Sequence, residues 1–215
     1  MGDIVSIDFK SDVHLSENYS ELQKRYTKMQ DLQKLIEKAL VREDPELTAA
    51  KIRALYGETR LDFPVVEFVK SLGIDHVVID FSKVRTTKVP NNRITGYLGL
   101  YADHTQRPRI VVSENESIGH QNWTTAHELW HYMNHNHPVS KDVYYTENAD
   151  DYGGKSLDDE ENDANLFAAA LLMPKQAFTV AYKKSLRLGR KKRIAELFQV
   201  SETAVQMRVN TLGLA

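Results

Sequence analysis

Two histidines four residues apart, with a glutamate directly after the first, constrain this chain more than any other feature: His127-Glu128-Leu129-Trp130-His131. On a helix, a turn of about 100° per residue puts His127 and His131 on one face, where both imidazoles can reach one zinc ion. Glu128 projects beside them, toward a water held by that ion. Leu129 and Trp130 can then face the core, Thr124 and Thr125 precede the motif without a proline, and Ser117 to Asn134 reads as one helix. The 215 residues contain no Cys, which excludes thiolate zinc sites, CxxC redox motifs, disulfide scaffolds and cysteine nucleophiles. Any metal site is built from His and carboxylates.

Two His leave one protein ligand to find and one position for water, the open arrangement of a catalytic zinc. The residues offer two kinds of third ligand. His137 stands at the eleventh position of HELWHYMNHNH, where some zinc peptidases carry a third His, and Asn134 occupies the place of the usual Gly. Alternatively a carboxylate comes from a second helix, and Glu160, Glu161 and Asp163 open the helical stretch Asp158 to Met173, which Pro174 ends. Spacing leaves both open.

Around these motifs the hydrophobic period changes along the chain. Leu15, Tyr19, Leu22, Tyr26, Met29, Leu32, Ile36 and Leu40 form one helical stripe, read as a helix packed on the domain rather than a coiled coil. Asp44-Pro45 starts a second helix, and Val65 to Leu72 forms a third that Gly73 stops. His76 to Phe81, Thr95 to Tyr101 and Arg109 to Ser113 read as short strands. Few strands among many helices predict an α+β domain with a small sheet. The stretch Asp142 to Asp163 carries nine acidic residues and one lysine and reads as an exposed loop running into the Asp158 helix.

The two helical motifs together resemble the ImmA/IrrE family of metallopeptidases. Trp123-Thr124-Thr125-Ala126-His127-Glu128-Leu129-Trp130-His131 is similar to its TxAHELGH helix, and Glu161 to Pro174 (ENDANLFAAALLMP) to its ExxANxFAAxLLMP helix. The resemblance implies a zincin-like core with a small mixed or antiparallel sheet, His127 and His131 as the zinc-binding pair, Glu161 as third ligand and Glu128 as the catalytic general base. Asn165, four residues after Glu161, then shares its face and can orient a ligand. It further implies cleavage of a helix-turn-helix transcriptional repressor, in a stress-response locus or on a mobile element, and places the Arg109 to Ser113 strand beside the cleft, where a peptide could add to a sheet edge; Ile110, Val111 and Val112 by themselves fit an ordinary interior strand equally well. Trp130 departs from the family's Gly. The oxyanion donor stays open among Tyr144, Tyr145, Tyr152, His135 and His137.

Three segments follow: a helical lead, 1–62; the metallopeptidase core, 63–182; and a basic tail, 183–215. Seven cations lie between Lys183 and Arg193, ahead of Ile194 to Val205, which resembles a helix-turn-helix with Ser201 capping its second helix. The tail reads as packed on the core; a non-proteolytic regulator that binds DNA or a repressor through this element is the alternative. The run Phe167 to Met173 is wholly apolar but far short of the roughly 20 residues of a membrane span, and the N-terminus matches only a loose myristoylation pattern at Gly2 and Ser6. The expectation is a cytoplasmic protein with no membrane partner.

Overall fold

The computed structural model describes residues 44–81, 94–100, 108–134, 145–146 and 158–214, with three further helical positions at 27, 30 and 34. The Leu15 to Leu40 stripe, Gly2 and Ser6, and the side chains of His135, His137, Tyr144 and Tyr152 lie outside the described residues. In chain order the helices are α1 Pro45–Tyr56, α2 Val65–Ser71, α3 Ile118–Asn134, α4 Asp158–Leu172, α5 Lys175–Lys184, α6 Arg190–Phe198 and α7 Glu202–Thr211. The strands are β1 Asp75–Ile79, β2 Ile94–Leu100, β3 Pro108–Ser113 and β4 Tyr145–Thr146. The fold is α+β and mostly helical.

Local chemistry sets several element ends. Asp44 accepts a hydrogen bond from Leu47 N at 2.9 Å, Pro45 takes the first turn of α1, and Gly57 closes it in the left-handed region at φ 71°. Ser201 accepts from Ala204 N at 3.1 Å and starts α7. Pro174 both terminates α4 and stands at the N-cap of α5, a helix that the stop reading of this proline passes over.

The sheet order is β1-β3-β2-β4. β1 runs parallel to β3, and β2 pairs antiparallel with both β3 and β4. Of the two readings of Arg109 to Ser113, an edge open to a peptide and an interior strand, the second holds: β3 has β1 on one side and β2 on the other. Its N–H and C=O groups serve those neighbours, and Ile110, Val111, Val112 and Ser113 are buried. β4 falls inside the acidic stretch expected to be loop; two residues suffice to continue the sheet.

Helix α3 lies against β2 and β3 on one side and α4 on the other, and α4 in turn supports α1 and α7. One apolar cluster links these layers, from Ala49 and Ile52 through Phe68, Ile110, Leu129 and Phe167 to Phe178, Phe198 and Val209. The tail joins it through Ile194, Phe198, Val205 and Val209. Arg208 of α7 is fully buried: its Nε donates to the Met173 carbonyl at 2.9 Å, and its Nη atoms bond both carboxylate oxygens of Glu46 on α1. This fork joins α1, α7 and the C-terminal end of α4.

The turn between α6 and α7 presses on the first turn of α3. Asn122 donates to the Gln199 carbonyl at 3.0 Å. A Cβ at Gly119 would overlap the Val200 carbonyl carbon and sit 2.7 Å from its oxygen and 2.8 Å from Ser201 N. In an open helix, Gly→Ala gains up to about 1 kcal/mol. Here Gly119→Ala is expected to reverse that sign and destabilise by at least about 1 kcal/mol, because backbone must move; equilibrium urea unfolding of the two proteins measures it.

Candidate metal centre

The packing of α3 on α4 builds the site. Trp130 and Leu129, the residues between Glu128 and His131, are buried, and the Trp130 ring lies tilted on Phe167 with centroids 5.2 Å apart. The bulk that replaces the family's glycine thus fills the α3–α4 interface. Ala164 and Ala168 on α4 are fully buried and let the two backbones approach. With the apolar side chains fixed, the remaining face of α3 presents its two histidines to the first turn of α4.

There, His127 Nε2 lies 3.1 Å from His131 Nε2 and 3.1 Å from Glu161 Oε2, while His131 Nε2 lies 3.3 Å from Glu161 Oε1. A tetrahedral ion with ligands at roughly 2.0–2.1 Å needs ligand atoms about 3.3 Å apart. The observed triangle has that size. Two imidazole lone pairs and a carboxylate aimed at one point repel one another unless positive charge lies between them, so this donor set suits a cation. His127, His131 and Glu161 could together hold a metal ion.

Protonation and orientation agree with that use. Burial pushes His131 down from its ordinary value, against the opposing pull of Glu161, so the ring is neutral at neutral pH. Burial alone would raise Glu161, but positive character on the His127 and His131 side outweighs it and brings the carboxyl down to about 2, as a cation between the three groups would. Neutral imidazole and ionised carboxylate are the forms that bind metal. Asn165 Oδ1 stands 3.1 Å from His127 Nδ1 and accepts its proton, which leaves the Nε2 lone pair facing the shared point. Glu160 Oε1 stands 3.6 Å from Nδ1 of His131, on the opposite edge of that ring from Glu161.

Of the three carboxylates considered for the third position, Glu161 alone joins the histidine pair; Glu160 takes the outer edge of His131, and Asp163 is not part of the group. His137 and the proposed oxyanion donors His135, Tyr144 and Tyr152 lie outside the described residues, and Tyr145 is described only as backbone paired with Gly96. Glu128 is buried at 1% exposure on the same helix. A contact that the motif does not announce comes from β1: His76 Nε2 lies 2.9 Å from Thr125 Oγ1, which donates to the Gln121 carbonyl at 2.7 Å. The hydroxyl proton is thereby committed, so His76 Nε2–H is the donor.

Comparison with known proteins follows the same lines. The sequence profile of the peptidase M78 family, described as an IrrE N-terminal-like domain, matches residues 76–210, more than half of the chain. The chain belongs to the peptidase M78 family. This family is one of metallopeptidases, and the match spans both helices of the site, α3 and α4. No curated protein matches. Among solved structures, a Mycobacterium tuberculosis transcriptional regulator aligns with 17% identity and a TM-score of 0.48, over 85% of this chain. The chain spans about half the length of that neighbour, 51%.

The His76 contact makes the metal helix sensitive to acid. Burial first, and Lys70 second, push the His76 ring down to about 4, against Glu67. The folded state therefore binds fewer protons than the unfolded chain between pH of about 6.5 and about 4, and stability present above that window is lost as pH falls through it. Because the ring is partly exposed, the full shift is discounted to about 1–2 kcal/mol. His76→Gln, which keeps a donor for Thr125, is expected to flatten this part of the stability–pH curve, as measured by urea unfolding at stepped pH.

Proposed function

We propose that the protein is a zinc-dependent endopeptidase whose substrate is a helix-turn-helix transcriptional repressor. The observation that carries the peptidase reading is the triangle of His127 Nε2, His131 Nε2 and a Glu161 carboxylate, with Glu128 on the same helix. Three protein ligands leave one position for water, which distinguishes a catalytic from a structural zinc site. The choice of a repressor as substrate rests on the family resemblance.

When bound, zinc supplies Lewis acidity, lowering the pKa of a coordinated water toward about 7 and polarising the scissile carbonyl. The chain's own residues do the rest. His127 and His131 stay neutral donors, and Asn165 orients His127 through its Nδ1 edge. Glu128 takes one proton from the attacking water as its oxygen bonds to the carbonyl carbon. It then delivers that proton to the amine nitrogen as the C–N bond breaks, so the carboxylate is regenerated. Burial of Glu128 keeps bulk water from competing for that proton.

A non-proteolytic DNA-binding regulator gains little from the tail. The second helix of its helix-turn-helix-like element, α7, exposes Glu202, Thr203 and Asn210, and its one cation, Arg208, is engaged by Glu46 and the Met173 carbonyl. A helix that enters a major groove needs donors and positive charge on its outer face.

Glu128→Gln is expected to keep zinc while lowering cleavage of the repressor encoded beside the gene by roughly 10²–10⁴-fold; full activity in this variant removes Glu128 from the mechanism. Glu161→Gln is expected to weaken zinc by at least about 100-fold, more than loss of an outer-shell partner would. His137→Gln should retain it. Equilibrium dialysis with metal analysis reads both, and zinc lost in the His137 variant alone would overturn the choice of third ligand.

A further inference from the structure

We infer that the loop between α5 and α6 is a peripheral contact for anionic lipid surfaces. The loop, Ser185 to Gly189, carries two leucines that point almost entirely into solvent: Leu186 is 77% and Leu188 is 90% exposed. They are not isolated cases, since four of the seven exposed large apolar side chains among the described residues, Val180, Leu186, Leu188 and Leu197, fall between 180 and 197.

The loop is built to hold the leucines out. Arg193 reaches back from α6 and donates through Nη2 to the carbonyls of both Leu186 and Leu188, each at 2.6 Å. Arg190 donates through Nε and Nη2 to the Ser185 carbonyl at 3.1 and 2.9 Å, and its guanidinium lies 4.5 Å from the Tyr182 ring centre. Gly189 takes the left-handed region at φ 66° and turns the chain into α6. Three anchored carbonyls, those of Ser185, Leu186 and Leu188, fix the backbone of the loop through charge-assisted hydrogen bonds.

Flanking this apolar tip in the chain are Lys183, Lys184, Arg187, Lys191 and Lys192, all exposed, and from Pro174 to Gln199 the only acidic residue is Glu196. Exposed cations on either side of protruding leucines complement a negatively charged headgroup layer over an acyl boundary: the lysines attract the surface and the leucines enter it. Contacts to the phosphates of a nucleic acid would use the cations alone and leave the two leucines in water. A protein partner would need a pocket facing this convex tip. No spanning helix is required, so a surface contact is compatible with the described helices, none of which is long and apolar enough to cross a bilayer. The surface owes nothing to the metal site and stands apart from the peptidase reading.

The experiment is sedimentation of the full-length protein with vesicles of phosphatidylcholine alone or mixed with phosphatidylglycerol. Binding is expected to the mixed vesicles, weakening as salt is raised. Leu186→Ser with Leu188→Ser is expected to cut it by at least about tenfold without moving the thermal midpoint, because neither side chain packs on the core. Lys191→Gln with Lys192→Gln should lower binding to the mixed vesicles. Three results would overturn the inference: no sedimentation with mixed vesicles at low salt, undiminished binding by the leucine variant, or duplex DNA displacing the vesicles with the leucine variant binding that DNA normally.

Discussion

Two imidazole nitrogens and a carboxylate held within 3.1–3.3 Å of one another repel, and something must force them together. That force is the packing of α3 on α4. Trp130 on Phe167, with Leu129, Ala164 and Ala168 buried around them, fixes the rotation and separation of the two helices. Close packing then leaves the histidine face no other direction to point. Burying a Trp or Leu contributes on the order of 2–3 kcal/mol, enough to hold polar groups in an arrangement they would not choose alone. The polar residues supply the chemistry and the apolar ones supply the geometry.

Preorganisation extends beyond the interface, because both helices are held at points away from the ligands. The first turn of α3 is locked by Gly119 and Asn122 against the turn from Gln199 to Ser201, and its middle is tied to β1 through Thr125 and His76. The end of α4 is held by Arg208 at the Met173 carbonyl. Two of these restraints come from the C-terminal segment. Its helix-turn-helix-like appearance is thus that of a clamp, with the residues from Gln199 to Ser201 acting as a backbone wedge against the metal helix. Sites supported in this way keep ligand geometry within the tolerance that catalysis demands.

Much of this was legible in the sequence because it depends on local spacing. The caps at Asp44 and Ser201, the stop at Gly73 and the helical pairing of His127 with His131 each involve residues within a few positions of one another. What was not legible depends on contacts between distant segments. β4 has two residues and no pattern of its own; it exists because β2 offers an edge. α5 was hidden because Pro174 carries opposite meanings for the helix before and the helix after it. The interior position of β3 could not be read from Ile110, Val111 and Val112, since edge and centre share the same residue types. Nor does the apolar pattern of α4 choose between Glu160 and Glu161, because its second half is buried nearly all round. Family resemblance made that choice, and the two carboxylates are found on different edges of His131.

The basic tail is the place where composition misleads most. Counted together, its cations suggest one electrostatic surface, but residue type divides them. Arg190, Arg193 and Arg208 use their planar forks on the carbonyls of Ser185, Leu186, Leu188 and Met173 and on the Glu46 carboxylate. Lys183, Lys184, Lys191 and Lys192 remain on the surface. A guanidinium can satisfy several acceptors in fixed directions, whereas an ammonium on a flexible stem acts as a hydrated point charge. Arg190, Arg193 and Arg208 therefore build the element, and the lysines with the exposed Arg187 give it its field. An overall charge of -2 conceals this, since the nine acidic residues from Asp142 to Asp163 offset a basic segment elsewhere in the chain. What a partner meets at the tail is the local arrangement, positive and tipped with leucine, rather than the near-neutral average.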